Sequence, residues 1–162
     1  MNYEYFTQLE EGCLTRAENE TEQAFMEKVL RGVFSEKSAE MCNRVNDKLD
    51  PRFAGCSAQE RALDICFGVQ EWMRNPNGTL HGGILTTAVD IGMSVLARYF
   101  AKKRVMVTAQ LSINFLRAIR PEDIFTVHVV ADHTGRRSTV VHAWVSVSTS
   151  EKHAATATAV LM

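Results

Sequence analysis

A chain of 162 residues, 46% hydrophobic and 23% charged, has the length and composition of one globular domain with a single core, which excludes the disordered and fibrous classes. Its net charge of −1 is unevenly spread: residues 1–50 hold 6 Lys+Arg against 11 Asp+Glu, and residues 98–137 hold 8 against 3. The local positive region suits a polyanionic ligand, but with no zinc finger, aromatic RNA motif or long basic run it does not suit nucleic acid. No apolar segment reads as reaching the ~20 residues of a membrane span. Met1-Asn2-Tyr3-Glu4 offers neither a basic region nor an apolar signal core, so a cytoplasmic protein without a membrane partner is expected. Cys13, Cys42, Cys56 and Cys66 form no Cys-x-x-Cys pair and have no histidine at ligand spacing, so reduced thiols are expected and no metal.

The first 20 residues are polar, with a short helix expected near Tyr3–Leu9. From Thr21, the residues Phe25, Val29, Leu30, Val33 and Phe34 form one apolar stripe at helical spacing. A weaker helix is expected with Met41, Val45 and Leu49 on one face and Ser35 or Ser38 as its cap, ended by Asp50-Pro51. Residues 1–55 are therefore read as a helical extension and 56–162 as the main domain. There the period changes to two: Leu63, Ile65, Phe67 and Val69 alternate with polar or small residues, as in a strand with one core face.

The stretch from Asn75 to Asp90 organises the rest. Asn75-Pro76 and Asn77-Gly78 are turn dipeptides. The chain then passes through Gly82-Gly83 into a proline-free apolar run lasting to about Tyr99, which reads as a helix buried on every face. A carboxylate there, Asp90, is costly unless compensated. Glycines at the helix start admit a group close to the backbone, and the first amides of a helix have no internal partner, so they can hold a carbonyl or oxyanion. Gly82 and Asp90 are eight residues apart, or roughly 12 Å along a helix, whereas a reacting carbon must lie about 3 Å from each. If both act on one substrate, a second copy of the helix must lie antiparallel beside the first, with Gly92 easing the approach.

Three or four longer strands follow. Val105, Val107, Ala109, Leu111, Ile113 and Phe115 share one face, and Thr108, Gln110, Ser112 and Asn114 the other. Arg120-Pro121-Glu122-Asp123 and Thr134-Gly135 are turns between the alternating runs Phe125–Ala131 and Val141–Val147, and Ala155–Leu161 closes the chain. Consecutive strands with short turns make an antiparallel sheet. The expected class is α+β, with a curved antiparallel sheet wrapped around one long central helix and extra helices before it. His128, His133, His142 and His153 show no constellation in the sequence.

The run Asn75-x-x-Gly78-Thr79-Leu80-His81-Gly82-Gly83, with Asp90 nine residues after His81, resembles the hotdog-fold acyl-CoA thioesterases of the phenylacetate-pathway (PaaI-like) type. Val107–Arg117 resembles the strand that follows the central helix in that family, and the likeness covers about residues 61–161. It implies hydrolysis of an acyl-CoA thioester to a carboxylic acid and free coenzyme A, without metal or other cofactor, at the interface of a homodimer that pairs into a dimer of dimers. By the same resemblance Asp90 attacks the thioester carbonyl or activates water. Gly82 donates its amide N–H to the thioester oxygen, Asn75 helps place the thioester or the water, and Thr108 holds the attacking water. His81 completes the candidate catalytic set, chiefly as the brace of the turn and helix start, with direct proton transfer as the alternative. Gly83, Arg136 and Arg137 are the candidates for binding the coenzyme A moiety, with Lys102, Lys103 and Arg104 as further basic candidates. Ala118 departs from the proline that is common there in the family. The alternatives are a non-catalytic acyl-CoA binding or sensor protein and a hotdog hydratase or dehydratase. The latter needs a histidine and acidic residue in other motifs.

Overall fold

The computed structural model describes residues 1–35, 44–103 and 105–162. The second half of the expected weaker helix, Val45–Lys48, is a single turn, and its partner position Met41 lies outside the described residues. Val45 is 55% exposed while Leu49 is fully buried, so the expected stripe is not one buried face. The other helices are α1 (Glu4–Glu10), α2 (Glu22–Ser35) and α4 (Gly82–Ala101), with Val45–Lys48 as α3. Thr21 caps α2 by accepting the Ala24 N–H at 3.2 Å on its hydroxyl.

Six strands form one antiparallel sheet: β1 (Arg52–Ser57), β2 (Ala62–Gly68), β3 (Thr108–Phe115), β4 (Ile124–Thr134), β5 (Thr139–Val147) and β6 (Ser150–Leu161), ordered β1-β2-β4-β5-β6-β3. Sequence reading missed β1, because Arg52–Ser57 does not alternate cleanly; the strand crosses the expected boundary between residues 55 and 56. Its pairing with β2 brings it into the sheet.

The core lies between α4 and the inner face of the sheet. Phe125, Val127, Val129 and Ala131 of β4 and Val141, Ala143 and Val145 of β5 are buried against Ala88, Val89, Met93, Val95 and Leu96. Helix α4 touches five of the six strands, β2 to β6. Five strands spaced by about 4.8 Å are wider than a helix of roughly 10 Å diameter. Only a curved sheet can reach the helix from all of them, and this is the hotdog arrangement.

Three expectations about α4 change. At 20 residues it is long and apolar enough for a membrane span by length and composition, but its apolar side is covered by the sheet. It is not buried on every face: Gly83, Thr87, Asp90, Ser94 and Arg98, spaced by three or four residues, form a partly exposed polar stripe. Gly92 is buried against the chain's own sheet, where an added Cβ would lie 3.1 Å from Val129 Cγ2, so its small size serves helix-on-sheet packing rather than a second helix.

Candidate active site

The turn Asn75–Thr79 sets the direction in which α4 starts. Asn75 Oδ1 accepts the N–H groups of Asn77 (2.9 Å) and Thr79 (3.2 Å), and Asn75 Nδ2 donates to Thr79 Oγ1 at 3.0 Å. The Asn75 side chain is thus a turn former that mimics a backbone turn, and it also borders the cavity described below. Gly78 takes the left-handed conformation this tight loop needs, at φ 79°.

His81 is the N-cap of α4. Its Nδ1 accepts the Gly83 N–H at 3.0 Å, and its carbonyl accepts the N–H groups of Ile84 and Leu85, both at 3.0 Å. With Nδ1 accepting, the neutral ring carries its proton on Nε2. Of the first four amides of α4, the one without an acceptor among the described residues is Gly82 N–H. The cap therefore separates the two glycines: the Gly83 amide is occupied by His81, and the Gly82 amide is free for a ligand oxygen.

Gly82 opens onto a cavity of about 340 Å³. Asn75 and Thr79 border it, and Leu80, Leu85, Phe115, Leu116 and Ile119 give it an apolar wall. The Phe115 ring stands 3.4 Å from where a Cβ on Gly82 would be, so the glycine gives the ring its place. Sequence reading did not single out these wall residues. Phe115 and Leu116 carry a signal only in hindsight, as exposed large apolar residues at a strand end.

Asp90 lies two turns further along α4, half-buried on the polar stripe. Thr108 Oγ1 donates to Asp90 Oδ1 at 2.6 Å. Simple alternation would put Thr108 on the outer face with Gln110, Ser112 and Asn114. The structure places a bulge at Ala109: Gln110 pairs with Val160, but Thr108 pairs with Leu161, which is fully buried. The extra residue turns Thr108 inward, toward α4. One chain thus brings together two pairs, Asn75 with Gly82 and Asp90 with Thr108, and holds the pairs apart along the helix.

Arg136 and Arg137 are exposed on the β4–β5 turn. Lys103 Nζ donates to Arg136 O at 3.3 Å, which ties that turn to the C-terminal end of α4. Lys103 is thirteen residues beyond Asp90, or about 20 Å along a helix, so within one chain the basic cluster does not meet the Gly82 cavity. Lys102 ends α4 in the left-handed conformation, and Arg104 lies outside the described residues.

Two histidines do form a constellation, contrary to expectation, but on the outer face of the sheet. His128 Nδ1 pairs with Asp64 Oδ1 at 2.5 Å and His142 Nδ1 with Asp132 Oδ1 at 2.7 Å, flanking Trp144. Cross-strand register makes these pairs, and a linear reading has no access to it. Among the described residues no group of three His, Cys, Asp or Glu could hold a metal ion.

A curved antiparallel sheet around one long helix, with a free amide at the helix start and a carboxylate on its outer stripe, defines a hotdog protein. The chain belongs to the thioesterase superfamily, a class of thioester hydrolases: the profile of that family matches residues 77–152. A Pseudomonas aeruginosa protein named "Putative esterase" is 36% identical over 93 residues, 56% of this chain and 68% of that protein. Among solved structures, the phenylacetic acid degradation-related protein of Ralstonia eutropha superposes with a TM-score of 0.68 at 21% identity, over 84% of this chain and 97% of that one. A Streptococcus mutans protein bound to acetyl CoA superposes with a TM-score of 0.61 at 24% identity, over 68% and 87%. At these identities the structural likeness is one of fold.

Proposed function

We propose that the protein hydrolyses an acyl-CoA thioester to a carboxylic acid and free coenzyme A, in two equivalent sites between two copies of the chain. The observation that carries this reading is the pairing of a free Gly82 amide and a Thr108-held Asp90 carboxylate on one helix, too far apart to meet on one carbon. An antiparallel second copy would place Asp90 of one protomer opposite Gly82 of the partner subunit. The acetyl CoA held by the Streptococcus mutans neighbour supports the substrate class.

In this reading the thioester oxygen takes a hydrogen bond from the amide of the partner's Gly82. Charge builds on that oxygen as the carbonyl carbon becomes tetrahedral, so a fixed N–H there lowers the barrier by about 3 kcal/mol. Thr108 binds Oδ1 of Asp90 and leaves Oδ2 for the reaction. By one route Asp90 takes a proton from water while the water oxygen bonds to the carbonyl carbon; the C–S bond then breaks and the proton passes to the departing thiolate. By the other, the carboxylate itself attacks the carbonyl carbon, the C–S bond breaks to release the thiolate, and water then cleaves the resulting anhydride into the two carboxylates, supplying the proton that the thiolate takes up. A single turnover in ¹⁸O-water leaves label on Asp90 only by the second route. The Leu80, Leu85, Phe115, Leu116 and Ile119 wall would take the acyl group. Arg136 and Arg137, with Lys102 and Lys103, would meet coenzyme A phosphates as exposed cations. Pairing of dimers into a tetramer remains part of the proposal, as does a cytoplasmic location.

The test is complementation. Asp90→Asn removes the carboxylate function. Gly82→Pro removes the free N–H and suits the backbone, since proline is favoured at the first helical position and His81 already has the extended ψ of 132° that a following proline requires. Each variant alone should lose about 10²-fold or more of thiol release from acyl-CoA esters. Mixed and refolded together, they should recover about a quarter of parental activity, because half the dimers are mixed and each has one intact site. Full activity of Asp90→Asn would end the mechanism, and two inactive variants that never complement would end the shared site.

A further inference from the structure

Within one chain, the cations closest to the Gly82 amide are not those of the β4–β5 turn. A second cavity of about 340 Å³ lies beside the Gly82 cavity, and the two share Arg117 and Ala118 as a common wall. The second cavity is lined by Arg120, Glu122 and Asp123 from the β3–β4 loop, and by Thr149, Ser150 and Lys152 from the β5–β6 turn and the start of β6. These segments are about thirty residues apart in the chain, so no sequence pattern joins them.

The charges here are not equivalent. Asp123 is 4% exposed, and both its oxygens are used: Oδ2 accepts the Arg120 N–H at 2.8 Å and Oδ1 accepts the Thr149 hydroxyl at 2.5 Å. That carboxylate ties the loop to the turn. Arg117 is held by donation from Nη1 to His153 O at 2.6 Å. Arg120 and Lys152 are exposed, and among the described residues neither side chain has a hydrogen bond or an ion pair. Three cations thus meet two carboxylates, and at the exposed rim they meet only Glu122. Cations held close together without counter-ions suit a ligand with adjacent negative charges. An apolar cavity at a free amide, opening past one residue pair onto a cationic cavity, matches the order of an acyl thioester on a phosphate-bearing arm.

We propose that Arg117, Arg120 and Lys152 bind the 5′-diphosphate of coenzyme A, as a subsite separate from the β4–β5 turn. This rests on the acyl-CoA reading above. In the antiparallel arrangement the partner's Lys103 lies about 20 Å along the helix from the partner's Asp90, and so about as far beyond Gly82 of this chain. Coenzyme A carries its diphosphate nearer the thiol and its ribose 3′-phosphate further out. The near cluster therefore takes the diphosphate, and the partner's Arg136 and Arg137 take the 3′-phosphate.

The test is Arg120→Ala combined with Lys152→Ala, two exposed residues outside the catalytic set. KM for an acyl-CoA ester should rise about tenfold with kcat unchanged, the mark of lost uniform binding. Added salt should raise the parental KM more steeply than that of the variant. The same acyl group on N-acetylcysteamine, which has no phosphate, should show no change in KM. The 3′-dephospho ester should suffer the same rise as the full ester. An unchanged KM for the acyl-CoA ester would overturn the subsite, as would an equal rise for the N-acetylcysteamine ester. A penalty that vanishes with the 3′-dephospho ester would overturn the diphosphate assignment. Calorimetry with free coenzyme A separates this proposal from the reaction it rests on. Binding by the parent, about tenfold weaker binding by the variant and no thiol release from any ester would keep the subsite and end the hydrolytic reading. Equal binding by both would end the subsite and leave the reaction untouched.

Discussion

The two edges of the sheet are finished in different ways. The β1 edge is closed by the chain itself: α2 packs on it, Gln23 Nε2 donates to Cys56 O at 2.9 Å and Gln23 Oε1 accepts the Ala58 N–H at 2.8 Å, and the Arg31 guanidinium lies 4.7 Å from the Phe53 ring centre. The β3 edge pairs on one side only, with β6, and presents Val105, Val107, Phe115 and Leu116, each exposed by half or more. An exposed apolar strand edge is a template for pairing with another chain. The covered edge needs nothing further from outside. The bare edge carries Thr108 at its start and Phe115 at its end, the neighbours of Asp90 and Gly82, so the unfinished part of the fold is also the part that holds the candidate chemistry.

The largest effect should come from charging the bare edge. Val107→Lys places a cation on a residue that is 65% exposed. If that edge meets a second copy, light scattering should show a monomer, and thiol release should fall about 10²-fold with the circular dichroism spectrum unchanged. A fully active dimer would mean that the two edges do not differ in function. Thr108→Val should cost less, about tenfold in kcat, since it removes one hydrogen bond to Asp90 and leaves the edge apolar. The oligomer should persist, and Thr108→Ser should recover most of the rate.

On the covered side the expected effects fall on stability. The Tyr5 ring lies over Gly32, where an added Cβ would sit 2.3 Å from Cζ. Gly32→Ala should lower unfolding free energy by about 1–2 kcal/mol as the ring swings away, without changing the turnover of the folded protein. Tyr5→Ala in the same chain should absorb part of that loss, a coupling that thermal or urea unfolding would measure. The smallest effect concerns pH. Because the Tyr99 phenol is raised to about 12 in the folded chain, the unfolded chain, with its tyrosine near 10, loses that proton first. Stability from this group is complete below about pH 10 and is lost as pH rises toward 12. Tyr99→Phe should flatten the alkaline fall in an unfolding series, and an unchanged slope would assign it to other groups, such as the similarly raised Tyr3.

Much of this molecule was legible in its sequence because the signals are local. The 3.6-residue stripe of α2, the turn dipeptides before α4, the alternation of β2, β4 and β5 and the glycine pair beside a lone carboxylate each depend on residues within about one or two turns or a strand length of one another. They sufficed for the class of fold and for Asp90 and Gly82 as the candidates to test. Tertiary structure decided what depends on pairing between distant segments. The bulge at Ala109 turned Thr108 from the outer face to the carboxylate, and no pattern in Val107–Phe115 announces it, because a bulge is a property of the register with β6. The His81 side chain made Gly83 and Gly82 unequal by occupying one amide and leaving the other. Gly92 proved to serve packing on Val129. Strand β1 formed because β2 offered it an edge, despite a weak pattern of its own. Local propensity is set by each residue and its near neighbours, whereas register, caps and faces are set by which partners the folded chain brings within hydrogen-bond reach.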